Sequence, residues 1–259
     1  ACKQKSRGPE KGSRPFPAFF LYKCIHVTNL TKCLALLYKS GYNPIRGFFR
    51  KITQMEDCNM SQSTQSTAAE RIRKLLDENS FVELGAYVTA RNTDFNMTAK
   101  ETPGDGVLTG YGTIDGNLVY VYSQDAGVLG GSMGEMNAKK IVNMYSKARK
   151  TGAPVIGLID CAGLRLQEAT DALDGFGRLY RSQTMASGVI PQIQAIFGMC
   201  GGGMAVSSAL ADFTFMEKTK AKLFVNSPNA IEGNSESSCD TAGAEFQSSE
   251  SGLADFTGS

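Results

Sequence analysis

Apolar residues recur along the chain with two periods, and each change of period marks the boundary of an element. Thr67-Ala-Ala-Glu70 has the spacing of a capping box, and Ile72, Leu75 and Leu76 then fall on one side of a helix. Residues 107–114 and 118–124 read as strands, with Asp115-Gly116-Asn117 between them as a hairpin signal, while 85–105 reads as a loop. Helical spacing returns over 135–150, with Ile141, Val142 and Tyr145. A continuous apolar run at 154–160 predicts a buried strand, and 171–187 predicts a helix. From Pro191, Ile193, Ala195 and Phe197 alternate as in a strand, which runs into Gly201-Gly202-Gly203 and then into small residues at helical spacing. Residues 213–216 and 223–226 are strand-like.

Two of these strands begin 37 residues apart, at Pro154 and Pro191, and each ends in a small-residue turn. A strand, turn and helix repeating at that interval predicts an α/β fold of stacked units that cover one another's apolar faces. A right-handed superhelix and a doubly wound sheet both satisfy the period.

With 259 residues, 42% of them hydrophobic, the chain can bury a sizeable core. Its near-neutral charge of +2 hides two unlike parts. Residues 1–59 hold 11 Lys/Arg against 3 Asp/Glu, whereas residues 60–259 hold 16 against 22. The basic part follows neither period for long and reads as a non-native or disordered leader rather than a nucleic-acid-binding arm. Met55-Glu56-Asp57 can be encoded by ATG-GAG-GAY, whose GGAGG resembles a ribosome-binding sequence, so the biological start is expected at Met60. Seven scattered cysteines with no CxxC pair point to a reducing, cytoplasmic setting, and no run is long enough to span a bilayer.

The sole histidine is His26, so nothing after the leader can form a Ser/His/Asp or Cys/His nucleophilic site. No metal-ligand spacing is present, and the glycine stretches at 127–134 and 201–203 match neither a P-loop nor a GxGxxG pattern. Cys161 and Cys200 border small-residue turns and read as buried small residues before they read as nucleophiles. What remains is main-chain electrostatics. A strand entering a glycine turn leaves N–H groups unpaired, and glycine lets a ligand approach them closely. Such donors matter most where a carbonyl oxygen gains charge, as in an enolate. Arg165 and Glu168 are the side-chain candidates, either for a ligand or for an ion pair with each other.

Several ordered motifs between Arg71 and Phe256 then carry a resemblance. They are Leu76-Asp-Glu-Asn-Ser-Phe-Val-Glu-Leu84, Gly104-Asp-Gly-Val-Leu-Thr-Gly-Tyr-Gly112, Gln124-Asp125, Gly130-Gly-Ser-Met-Gly-Glu135, residues 160–168, Gly188-Val-Ile-Pro-Gln-Ile193, the triple glycine and Ser251-Gly-Leu-Ala254. With them the chain resembles the N-terminal half of biotin-dependent acyl-CoA carboxyltransferases, of the carboxylase β-subunit and sodium-pumping decarboxylase type. The resemblance implies a crotonase-like ββα superhelix. It implies that Gly202 and Gly203 donate N–H groups to a thioester enolate, with Ala162, Gly163, Leu164 and Arg165 beside the thioester arm of coenzyme A. Biotin on a separate carrier protein would bring the carboxyl group and take the proton, which suits a domain without histidine. Implied partners are an acyl-CoA, the biotin carrier protein, the C-terminal carboxyltransferase half and further copies in a dimer-based oligomer, up to a hexamer.

The chain departs from the family pattern in two ways. Asp160-Cys-Ala-Gly-Leu-Arg165 stands where the family usually has Asp-Ser-Gly-Gly-Ala-Arg, so Leu164 adds to an apolar wall and leaves the acyl group open. The chain also stops at Ser259, without the C-terminal half, and is expected to be an incomplete enzyme. Two other readings share the fold. A crotonase-type hydratase or isomerase would want a carboxylate where Ala205 stands, and a non-catalytic assembly subunit would need no site.

Overall fold

A computed structural model of the chain describes residues 67–91, 101–226 and 240–258. The basic leader, the start expected at Met60 and Cys239 lie outside the described residues. Helix α1 (Ala68–Leu75) begins at the capping box, where the Glu70 N–H donates to Thr67 Oγ1 at 3.3 Å and the Thr67 N–H donates to Glu70 Oε2 at 3.0 Å. A short strand β1 (Val82–Glu83), which alternation does not reveal, pairs antiparallel with β2 (Val107–Ile114). Strands β2 and β3 (Asn117–Gln124) form the expected hairpin, its turn made by Asp115 and Gly116, both at positive φ.

Three strand, turn and helix passages follow. β3 leads through a glycine-rich turn to α2 (Glu135–Thr151), β4 (Val155–Cys161) leads to α3 (Ala169–Ala186), and β5 (Gln192–Gly201) leads to α4 (Gly203–Ala209). The chain then forms β6 (Phe213–Glu217), β7 (Lys222–Phe224), a further helix α5 (Ala244–Ser249) and β8 (Phe256–Gly258). β7 is shorter than alternation predicts and pairs with the far end of β5. The eight strands of the described residues form one sheet, seven of them in the order β1-β2-β3-β4-β5-β6-β8 and β7 beside β5 off this path.

That order never reverses. A doubly wound sheet reverses at a switch point and carries crossover helices on both faces, whereas here the crossover helices α2 and α3 pack side by side against one face of the sheet. Their apolar residues recur every three or four positions, as Ala138, Ile141, Met144, Tyr145 and Ala148 and as Ala172, Phe176 and Leu179. The opposite face carries a second apolar layer with α1, in which Ile72, Leu75 and Leu76 meet Ile114, Val121, Ile156 and Ile193. Ile193 and Ala195, chosen by alternation, lie in this second layer. A sheet wound in one direction sends β3, β4 and β5 out at the same end, so their three turns come together there.

Candidate active site

The three turns touch. Ala162 donates its N–H to Gly130 O at 3.0 Å, Met133 to Gly163 O at 2.8 Å and Arg165 to Met133 O at 3.0 Å, so the turns after β3 and β4 run as a short parallel bridge. Between the turns after β4 and β5, a Cβ on Gly163 would stand 3.2 Å from Gly201 O, and one on Gly201 would stand 2.9 Å from Ala162 O. At Gly203 a Cβ would meet Tyr180 Oη at 2.7 Å, and that hydroxyl donates to Gly203 O at 2.7 Å. Glycine at these positions is a packing requirement.

The sequence-chosen donors differ from one another. Gly202, at φ 59°, gives its N–H to Phe224 O at 3.0 Å as part of the β5–β7 ladder. Gly203 makes no hydrogen bond through its N–H among the described residues. On the facing turn, the Ala162 and Arg165 N–H groups are taken, while Gly163 donates only to Cys161 Sγ, at 3.4 Å. A thiol is a weak acceptor. The donors held loosely or not at all are therefore those of Gly163, Leu164 and Gly203. Leu164 is half-buried and packs on the core beside Met133.

Arg165 and Glu168 do pair, at 2.7 Å, and the pair is buried rather than on the surface. Arg165 is 3% exposed; its Nη1 also meets Asp105 Oδ1 at 2.5 Å, and its Nη2 donates to Ser132 O at 2.7 Å. Its donors are thus committed to the protein, and its side chain holds the turn from behind. Glu168 in turn accepts the Glu135 N–H at 2.5 Å, placing a carboxylate at the start of α2, where the helix dipole favours it.

Asp105 is the residue that sequence reasoning missed here. It sits fully buried at φ 52° between Gly104 and Gly106, which also have positive φ. Its carboxylate accepts from Arg165 and from the Asn137 N–H at 2.7 Å. Burial raises this carboxyl above its usual range, with Arg165 pulling it down. Lys140, also buried, donates to Gly104 O at 2.9 Å, and burial lowers its pKa. The available signal was an aspartate between two glycines, the composition of a backbone forced to positive φ.

Cys161 and Cys200 are register partners on β4 and β5, both fully buried. Burial pushes their thiols up to about 11 and about 12, the reverse of what a nucleophile needs. Ala205, where a hydratase would carry a carboxylate, is buried under the glycine turn.

Comparison with known proteins agrees with this geometry. The α subunit of methylmalonyl-CoA decarboxylase from Veillonella parvula is 50% identical over 193 residues, which are 73% of this chain and 38% of that one. The propionyl-CoA carboxylase beta chain of Roseobacter denitrificans is 50% identical over 165 residues, 64% of this chain and 32% of that one. The chain therefore spans a third or slightly more of these relatives. Among solved structures, transcarboxylase 12S, described as a hexamer assembly with methylmalonyl-coenzyme A bound, superposes with a TM-score of 0.71 at 36% identity, covering 89% of this chain and 45% of that one. The fold is the crotonase-like ββα kind. A family model described as "Carboxyl transferase domain" matches residues 60–259, and the chain therefore belongs to the carboxyl transferase domain family.

Proposed function

We propose that the protein containing this chain transfers a carboxyl group between biotin and the α-carbon of an acyl-CoA, and that this chain supplies the half that holds the acyl-CoA. The observation that carries the proposal is that, among the described residues, the Gly203 N–H meets no acceptor and the Gly163 N–H of the facing turn is held only by a thiol. A thioester oxygen entering between the turns exchanges a weak N–H···S contact for an N–H···O hydrogen bond and gains a second donor at Gly203. Both interactions strengthen as the oxygen becomes an enolate, which is what lowers a barrier rather than only a binding constant. Gly202 is assigned the supporting role of fixing the turn to β7. Leu164 and Ala162 line the thioester arm, and Arg165 fixes their turn from inside the protein.

Neither turn carries a histidine, a free carboxylate or a reactive thiol, so a cofactor that brings its own proton acceptor fits these residues. Biotin, when bound, supplies the carboxyl group and a ureido nitrogen able to take the α-proton. The relatives' names favour a short acyl group of the propionyl or methylmalonyl kind. Their greater length accommodates the second half of the site, and a biotin carrier protein and an oligomer up to the hexamer named for transcarboxylase 12S complete the assignment.

The test is exchange of a labelled carboxyl group between methylmalonyl-CoA and biotin, catalysed by the native protein. Exchange that requires biotin is expected, and Gly203→Ala, whose Cβ pushes on Tyr180 and Phe176, should lower it about a hundredfold. Exchange within twofold of the unaltered protein in Gly203→Ala removes the donor assignment. Hydration of an enoyl-CoA without biotin would replace the reading with the hydratase.

A further inference from the structure

The three site turns are tied together from beneath by a side chain of α1. Arg71, on α1, is 3% exposed. Its Nη2 meets Asp160 Oδ2 at 2.8 Å, its Nη1 donates to Gln124 O at 3.3 Å, and its guanidinium lies over the Phe197 ring, 5.1 Å from the centroid. The second carboxylate oxygen, Asp160 Oδ1, accepts the Met199 N–H at 3.3 Å. Gln124 is the last residue of β3, Asp160 stands where the register of β4 shifts, and Met199 lies near the end of β5. One guanidinium and one carboxylate thus reach the outgoing ends of all three strands that feed the site.

The surroundings show how tightly this tie is enclosed. A Cβ at Gly198 would collide with Asp160 Oδ1, and one at Gly131, in the turn after β3, would collide with Asp160 O. Neighbouring backbone has been cleared of side chains on both sides of one aspartate. Planar guanidinium suits such a junction because its donors point in fixed, divergent directions; an ammonium is a point charge and cannot hold two strands at a set spacing.

We propose that Arg71 is a positioning residue for the acyl-CoA site: through Asp160 and Gln124 it sets the separation of the turn at 161–165 from the turn at 200–203, and with it the fit of the thioester oxygen. The ligand half of this proposal rests on the acyl-CoA reading above; the geometric half does not. Oxyanion donors act over hydrogen-bond distances, so a displacement of a few tenths of an ångström between the turns is enough to weaken them.

The experiment compares amide NMR spectra and propionyl-CoA binding of this chain with those of Arg71→Lys, which keeps a charge for Asp160 and loses the span to Gln124. The amide signals of Gly163, Gly202 and Gly203 are expected to move, while those of Gly116 and Gly152, in distant turns, stay in place. Affinity for propionyl-CoA is expected to fall about tenfold. Phe197→Leu, which removes only the ring under the guanidinium, is the milder variant should Arg71→Lys not fold, and the same three amides should move less. Unmoved Gly163, Gly202 and Gly203 signals in the folded variant overturn the proposal. Moved signals in a chain that does not bind propionyl-CoA support the tie and remove the acyl-CoA reading instead.

Discussion

Gly203 and Cys161 show how single residues at the site are constrained from behind as well as from the ligand side. Gly203 has no room for a Cβ because Tyr180 and Phe176 occupy that space, and Cys161 turns its sulfur inward to receive the Gly163 N–H. Cys200 Sγ likewise lies inside the protein, 3.2 Å from Ser208 Oγ, whose hydroxyl donates to Gln194 Oε1. Both thiols have their pKa raised by burial, and a thiol reacts as its thiolate. Iodoacetamide at about pH 8, well below those values, should therefore leave Cys161 and Cys200 unmodified in the native chain and label both in denaturant. Peptide mass spectrometry reads the outcome, and rapid native labelling of either would show that its burial is lost in solution. Sequence alone ranked these cysteines correctly as buried small residues, because a cysteine inside an apolar strand packs as a small hydrophobe more often than it serves as a nucleophile.

Among elements, the informative contacts are those that join segments far apart in the chain. The turn before β2 reaches the turn after β4 through Asp105, which accepts from Arg165, and it reaches α2 through Asp105 and Gly104, which accept from Asn137 and Lys140. Asp105→Ala leaves the Arg165 guanidinium buried with Glu168 as its only carboxylate partner, so the loss should be about 3–5 kcal/mol in urea unfolding. A loss below 1 kcal/mol would mean that water or a neighbour replaces the carboxylate. The boundaries of the main helices and strands were legible to within two residues because capping box, hairpin glycine and apolar period act locally. β1 and β8 were not, since strands of two and three residues exist only through the partners they pair with.

For the molecule as a whole, the mixed sheet holds polar groups where its strands begin, and one of them, half-buried, makes stability depend on pH. Asp212 joins the start of β6 to β5, accepting the Gln192 N–H at 2.8 Å, and burial pushes its carboxyl up from 3.8 to about 6. A raised carboxyl favours the protonated form in the folded chain. Its contribution is fully present below pH 3.8 and is lost as pH rises through about 6. Asp212→Asn keeps an acceptor for Gln192 and removes the charge. It should flatten the stability profile across that window and stabilise the chain at pH 7 by on the order of 2 kcal/mol. Thermal midpoints of the two proteins between pH 4 and 8 check this, and parallel profiles would refute it.

The sequence by itself determined the sites of helices, hairpin and glycine turns, the lack of any histidine after His26 and the membership of a carboxyltransferase family. Those properties depend on neighbours within a few positions or on residue types that are present or missing. Only the tertiary structure decided that the sheet winds in one direction and that Gly202 gives its N–H to Phe224 while that of Gly203 meets no acceptor among the described residues. It also decided that Arg165 faces inward and that Arg71 ties three strand ends from 50 or more residues away. Whether a donor is free, or a charge is buried, depends on which distant strand arrives beside it, and local sequence does not carry that information.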